Sequence, residues 1–240
     1  MLATELGSGA AHARLAREVR LARSVRHANV CPVFDLEQAD GLAFVTMELA
    51  RGSLADELAE RDASAPPPPR DVWAARLADA EGVCLGVAAI HEMGIAHRDL
   101  KAHNVLRMAD GRLAIADFGI AHAGDEGTAQ GTPICLPPEV IFGLPTDRRS
   151  DLWQLGLLLY EILLGERPTW RMPPGGAPAP VAPAGSVPSD VAPLVEAASS
   201  CLRLRPEDRP TSAAIARVAR RVRRAATGPR PMPAAARAVK

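Results

Sequence analysis

The sequence predicts an α+β fold, with strands confined to short stretches and helices dominating the later part of the chain. Two hairpin signals and two long helical patterns carry this reading. Val33 to Leu36 and Leu42 to Leu49 are strand-like segments on either side of Ala39-Asp40-Gly41, a turn sequence. Val105-Leu106 and Leu113-Ala114-Ile115 repeat the pattern around Asp110-Gly111. Residues from Asp71 to about Met93, and again beyond Glu139, follow helical periodicity.

Taken in order, the first element is a helix over Leu15 to Val25, followed by the first pair of strands. Ala50-Arg51-Gly52-Ser53 reads as a hinge, and Ser53 is a suitable N-cap for a helix over Leu54 to Glu60. Ala65 to Pro69 contains four consecutive prolines, which no helix continues through, so a surface loop is expected. Asp71 is expected to cap the long helix that follows, and Gly94 to end it. Pro173 to Pro193 is rich in Pro, Gly and Ala and predicts a loose loop without a helix. The last helix, Ser212 to Ala225, sets Ile215, Val218 and Val222 on one side. Arg217, Arg220, Arg221, Arg223 and Arg224 fill much of the rest, which reads as a solvated face. Residues 226–240 are expected to be a disordered tail.

The chain has 240 residues, of which 48% are hydrophobic, enough for a sizeable core. Its 28 basic and 28 acidic residues cancel, so the chain as a whole offers no field for nucleic acid or membrane. Cys31, Cys84, Cys135 and Cys201 are scattered and form no metal or disulfide spacing, as expected for reduced thiols in a cytoplasm. The longest apolar run, Leu155 to Leu164, is broken by Glu161 and falls short of the ~20 residues a membrane span needs. The N-terminus shows no basic region followed by an apolar core, so no secretory leader is expected.

The chemistry is concentrated in two motifs. Residues 97 to 104 read His-Arg-Asp-Leu-Lys-Ala-His-Asn, and residues 117 to 119 read Asp-Phe-Gly. Phosphoryl transfer needs an orienter or base for the incoming hydroxyl and oxygen ligands for magnesium on the nucleotide. Asp99 suits the first role, and Asn104 and Asp117 the second. In order and spacing these residues resemble the catalytic core of eukaryotic-type serine/threonine protein kinases of the bacterial kind. Further landmarks extend the resemblance over nearly all of the chain. Glu18 lies on the first helix, and His27-Ala28-Asn29-Val30 resembles the family's His-Pro-Asn-Ile turn. Gly131-Thr132-Pro133 through Pro137-Pro138-Glu139 resembles the end of an activation segment. Asp151 to Gly156 resembles the central buried helix, and Arg205 to Pro210 the late arginine-bearing turn.

One part of the family pattern is not found. No Gly-rich loop precedes Glu18, Gly7-Ser8-Gly9 is too short for one, and no lysine occurs before Lys101. The expectation is a small lobe cut near the lost lysine, most simply by a gene start called too late. On this reading the chain as it stands has little kinase activity, and a non-catalytic pseudokinase scaffold is the alternative.

The resemblance implies a bilobal fold, with an incomplete small lobe over 1–50 and a mainly helical large lobe over 51–225. It implies ATP and magnesium as cofactors and a protein Ser/Thr hydroxyl as acceptor, with no nucleic-acid partner. Asp99 would orient the acceptor, Lys101 neutralise the γ-phosphate, and Asn104 and Asp117 hold magnesium. Glu18 would serve the nucleotide side, with Met47, Glu48, Ala50 and Leu106 around the adenine. His97 and Phe118 would pack in the column joining the lobes, Asp151 would hold the catalytic-loop backbone, and Glu139 would pair with Arg209. Arg98 would receive a phosphate carried by Thr128, while Thr132 bonds the catalytic loop. Cys135 falls in the same activation segment and reads as an inert thiol.

Overall fold

The computed structural model describes residues 2–5, 9–39, 42–61, 69–117, 136–171, 179–181 and 187–227. The chain opens with β1 (Leu2–Glu5), α1 (Gly9–Ser24), β2 (Val33–Ala39) and β3 (Leu42–Met47). These strands form an antiparallel sheet in the order β1-β3-β2. Ala43 and Val45 alternate inward along β3 and meet Leu15 and Val19, one helical turn apart on α1. α1 starts six residues before the expected Leu15, and β1 was not anticipated at all. The turn residues Asp40 and Gly41 lie outside the described residues.

The segment expected as a plain hinge is a strand. β4 (Ala50–Ser53) pairs with β5 (Val105–Met108), which pairs in turn with β6 (Leu113–Ile115). Pairing along the free edge of β5 satisfies backbone groups that a bare connector would leave to solvent. Ser53 then caps α2 (Leu54–Ala59) in a capping box with Asp56, as its side chain predicts. The two sheets meet at the Asn29 turn, where Ile115 N–H donates to Asn29 O at 3.0 Å and Cys31 N–H to Ile115 O at 2.8 Å.

α3 (Arg70–Glu92) is capped by Pro69, not by Asp71, which sits inside the first turn where its charge faces the positive end of the helix. Gly94 ends the helix region at φ 77°. Gly86 lies against the Asn29 turn, since a Cβ there would meet Asn29 O at 2.3 Å. Of the expected proline loop, Ala65 to Pro69, all but Pro69 lies outside the described residues, as do residues 62–64, but both flanks are tied to one place. Arg61 Nη1 donates to Glu161 O and Ile162 O at 3.3 and 3.0 Å, and Arg76 Nη1 to Leu163 O at 2.7 Å.

Those carbonyls belong to the end of α5 (Arg148–Leu164), the central helix, which follows α4 (Pro138–Ile141). α5 is buried on nearly every side, starts on Asp147 as N-cap and stops at Gly165 with φ 86°. α6 (Ala192–Cys201) approaches so closely that a Cβ on Gly156 would lie 2.9 Å from Ala198 O. Helices α3, α5, α6 and α7 (Ser212–Thr227) enclose the main core, with Tyr160, Leu155 and Ile90 among its fully buried side chains.

Within the Pro-rich stretch after α5, where a loose loop is expected, residues 179–181 form a strand. β7 (Thr169–Arg171) pairs with β8 (Ala179–Val181), and Trp170 stacks on Trp153 with ring centroids 5.4 Å apart. Pro193, expected in the loop, occupies the first turn of α6, where a missing N–H breaks no helical bond. On α7, Ile215 and Val222 are buried and Val218 packs against the core, as expected. Arg220 and Arg223 are not simply solvated, because both reach Glu81 of α3, at 3.4 and 2.7 Å. The tail beyond Thr227 lies outside the described residues.

Candidate active site

The loop between α3 and β5 is suspended from α5. Asp151, with no exposed surface, accepts the backbone N–H groups of His97 and Arg98, each at 2.7 Å. Gln154, one turn along, accepts the Leu100 N–H at 3.0 Å. A third partner of Asp151 is His91 Nε2 at 2.8 Å, whose Nδ1 lies 3.0 Å from the Ser212 hydroxyl. With Nε2–H donating to the carboxylate, Nδ1 accepts from the hydroxyl. This chain from α7 through α3 to α5 was not legible in the sequence, where His91 looks like an ordinary residue of a helix's last turn.

On that support Asp99, Lys101 and Asn104 converge. Lys101 Nζ lies 2.8 Å from Asp99 Oδ2. Asn104 Nδ2 donates to Asp99 O at 2.8 Å and to Asp99 Oδ2 at 3.0 Å. Ala116 N–H donates to Asn104 O at 2.9 Å, so the chain leaving β6 brings Asp117 beside the same group. Asp117 has φ 59°, uncommon for a non-glycine residue, and its Oδ1 is buried without a hydrogen-bond partner. Burial raises its carboxyl above the usual range, and the negative charge of Asp99 raises it further. An orphaned carboxylate oxygen facing a second carboxylate is a place a cation would relieve. Among the described residues no group of three or more His, Cys, Asp or Glu forms a cage. Asn104 and Asp117 have the oxygen donors that would hold a magnesium ion, a cation bound through one or two carboxylates.

His97 lies beneath this cluster, 1% exposed, with Nε2 3.1 Å from Ala116 O and Nδ1 accepting the Asp99 N–H at 3.3 Å. That pair fixes the Nε2–H tautomer, and burial holds the imidazole below the ordinary histidine range, hence neutral. Arg98 extends an exposed side chain that makes no ion pair among the described residues.

Met47, Ala50 and Leu106 pack together around buried Cys31, Met108, Ala114 and Ala116, forming an apolar wall between the two sheets. Glu48 sits within this wall's backbone, its N–H bonded to Pro32 O at 3.0 Å. Both its carboxylate oxygens accept from the one Nη2 of Arg112, at 3.1 and 3.0 Å. Arg112 also donates to Ala28 O and Asp110 Oδ2, at 2.6 and 2.9 Å, joining the turn after α1, the residues before β4 and the β5–β6 hairpin. Sequence reasoning missed Arg112. Its place beside the Asp110-Gly111 turn was the only available signal.

Away from the cluster, Glu139 and Arg209 pair bidentately at 2.7 and 2.8 Å with both side chains buried. Burial pushes the Glu139 carboxyl upward, but the Arg209 hydrogen bonds outweigh it and hold it below the usual range. Arg209 further donates to the Arg149 and Arg203 carbonyls and lies over the Trp153 ring, 5.3 Å from its centroid. Glu18 falls on α1, but its side chain lies outside the described residues, as do Phe118, Thr128, Thr132 and Cys135.

Comparison with known proteins gives the family. The protein kinase domain family matches residues 3–219. Human serine/threonine-protein kinase H1 is 36% identical over 167 residues, covering 63% of this chain and 36% of the relative. Rice (Oryza sativa subsp. japonica) CBL-interacting protein kinase 16 is 35% identical over 173 residues, 65% of this chain and 34% of the relative. Serine/threonine-protein kinase 36 of Pongo abelii is 32% identical over 159 residues, 64% of this chain and 12% of the relative. The chain thus spans well under two thirds of the length of the relatives it matches. No helix among the described residues is long and apolar enough to cross a membrane. With the family matched from the first strand to the last helix, and serine/threonine kinases among its relatives, the chain belongs to the protein kinase domain family on its serine/threonine side.

Proposed function

We propose that this protein transfers the γ-phosphoryl group of ATP to serine or threonine hydroxyls of protein substrates. The observation that carries the reading is the bonded cluster of Asp99, Lys101 and Asn104 with Asp117 delivered beside it. The acceptor oxygen forms a bond to the γ-phosphorus as the bond to the bridging oxygen breaks and ADP leaves. Asp99 orients the hydroxyl and takes its proton, and Lys101 offsets the charge on the transferring group. Asn104 and Asp117 would hold magnesium, which neutralises charge on the phosphates when bound.

Met47 and Leu106 bound the adenine by apolar contact, while the backbones of Glu48 and Ala50 meet its polar edge. Glu18 serves the phosphate side. Residues 1–50 act as the nucleotide-facing lobe and 51–225 as the acceptor-facing lobe. Arg98, exposed and without an ion-pair partner among the described residues, is suited to a phosphate on Thr128, with Thr132 bonding the loop.

The test is label transfer from γ-labelled ATP with magnesium to casein, followed by phosphoamino-acid analysis. Transfer by this chain is expected to be weak, with label on serine or threonine, Asp99→Asn lowering turnover further by about 10²–10⁴-fold and Asp117→Ala abolishing it. Equal transfer by wild type and both variants overturns the assignment. A second reading, a nucleotide-binding scaffold, draws on one fact: residues 1–100 contain no lysine to grip the phosphates. It requires that magnesium–ATP raises the melting temperature while no label moves.

A further inference from the structure

The chain's zero net charge hides a strong local asymmetry. From Arg217 to Lys240 the sequence carries eight basic residues and no acidic one. Five of the eight are on α7, and they do not behave alike. Arg220 and Arg223 turn toward Glu81 and are paired there. Arg217, Arg221 and Arg224 are exposed and make no ion pair or side-chain hydrogen bond among the described residues. At about 100° per residue these three fall within an arc of roughly 60°, spaced about 6 and 4.5 Å along the axis. They form a straight cationic row on the outward side of a helix whose inward side, Ile215, Ala219 and Val222, is buried in the core.

We infer that this outward face of α7 is an electrostatic docking surface for an anionic lipid membrane, with the protein resting on the headgroups and nothing inserted. Charge complementarity argues for an anionic partner, because three unpaired guanidinium groups on one side of a helix repel one another until counter-charge arrives. Insertion is excluded by the packing, since the apolar face of α7 is already occupied. A planar array of mobile headgroups suits a row that carries charge and little else. From Pro210 to Lys240 the sequence contains no Asn or Gln to read adenine and no Phe, Tyr or Trp to stack on bases, so a nucleic acid would meet only the same arginines and one lysine. The basic excess continues past α7 in Arg230, Arg237 and Lys240, adding charge on the same side of the sequence. The surface is independent of the nucleotide site, so the inference goes beyond the proposed kinase activity and is read without it.

The experiment is co-sedimentation of the full chain with phosphatidylcholine vesicles containing or lacking phosphatidylglycerol. Binding is expected only with the anionic lipid, and it should vanish near 1 M salt, where the screening length is ~3 Å. A basic residue near such a surface contributes about fivefold in partitioning, so Arg217→Ala/Arg221→Ala/Arg224→Ala should lower it about a hundredfold. The corresponding triple Lys variant should retain binding, which separates lost charge from lost folding. Arg17→Ala/Arg20→Ala, removing two exposed arginines from α1, should leave it unchanged. Equal binding to neutral vesicles, undiminished binding by the triple Ala variant, or an equal loss in the α1 variant would each overturn the inference. So would a duplex oligonucleotide that displaces the protein from vesicles at lower phosphate concentration than the lipid presents.

Discussion

Asp151 and Arg98 meet through a single 2.7 Å hydrogen bond, carboxylate Oδ1 to backbone N–H, and Arg98 holds φ 71°. The left-handed backbone of a non-glycine residue is unfavourable by roughly 1–2 kcal/mol and persists only where its surroundings over-determine it. Asp151 supplies that constraint, because its other oxygen takes the neighbouring His97 N–H and the His91 ring.

Asp151→Ala is therefore expected to orphan two buried donors and a part-buried one at once, and to destabilise the fold by about 3 kcal/mol. Chemical denaturation measures this. A loss under about 1 kcal/mol would mean the loop is held elsewhere.

Glu139 and Arg209 should be strongly coupled. Each single Ala variant is expected to cost ~3–5 kcal/mol by leaving a buried charge, and the double variant clearly less than their sum. The Glu139 carboxyl is held below its usual range, so its contribution is present above about pH 4.3 and is lost as pH falls through the lower folded value. Additive effects in a double-mutant cycle of denaturant melts would show that the pair does not act as one unit.

For Asp117 the sign is opposite. Its folded carboxyl is raised, so the unfolded chain loses the proton first and stability falls as pH rises through that interval. Asp117→Asn should raise the melting temperature in the absence of magnesium and nucleotide while removing magnesium-dependent nucleotide binding. A lowered melting temperature would show that the carboxylate has a protein partner.

His97 governs the mildly acidic range. Because burial keeps it neutral, the unfolded chain takes up a proton below about pH 6.5 that the folded chain refuses, and stability falls with acidification. Melting curves between pH 7.5 and pH 5.5 should show a decline that is reduced in His97→Phe. His27, also lowered by burial but partly exposed, contributes a smaller share. An unchanged slope in the variant would assign the decline to other groups.

Arg112 fixes Glu48 from behind the wall proposed to receive adenine. Arg112→Ala should weaken ATP binding about fivefold, the effect of roughly 1 kcal/mol, with little change in turnover. Arg112→Lys should recover only part of it, since one ammonium cannot reach Asp110, Ala28 and Glu48 at once as the three guanidinium nitrogens do. Titration with a non-hydrolysable ATP analogue reads the difference, and identical affinities would remove Arg112 from the site.

Much of this architecture is legible in the residues. Ser53 announces the start of α2, Asp110-Gly111 the second hairpin, and the spacing of Asp99, Asn104 and Asp117 the cluster itself. What escaped was set by distant partners. Residues 50–53 became a strand because β5 offered an edge more than fifty residues later. Trp170 ordered part of a Pro-rich stretch because Trp153 presented a ring to it. His91 and Arg112 have unremarkable neighbours in sequence and are defined by what tertiary structure places against them.

The two arginines that converge on the end of α5 have a consequence for how the chain tolerates change. Arg61 and Arg76 anchor both stems of the intervening segment to carbonyls of three successive residues, Glu161, Ile162 and Leu163. The span between those stems is set by the helix end and not by the residues that bridge it. Doubling the bridge therefore adds only about 0.6 kcal/mol of loop-closure entropy. An insertion between Arg61 and Pro69 is thus expected to leave both anchors on α5, and the catalytic loop in register on Asp151.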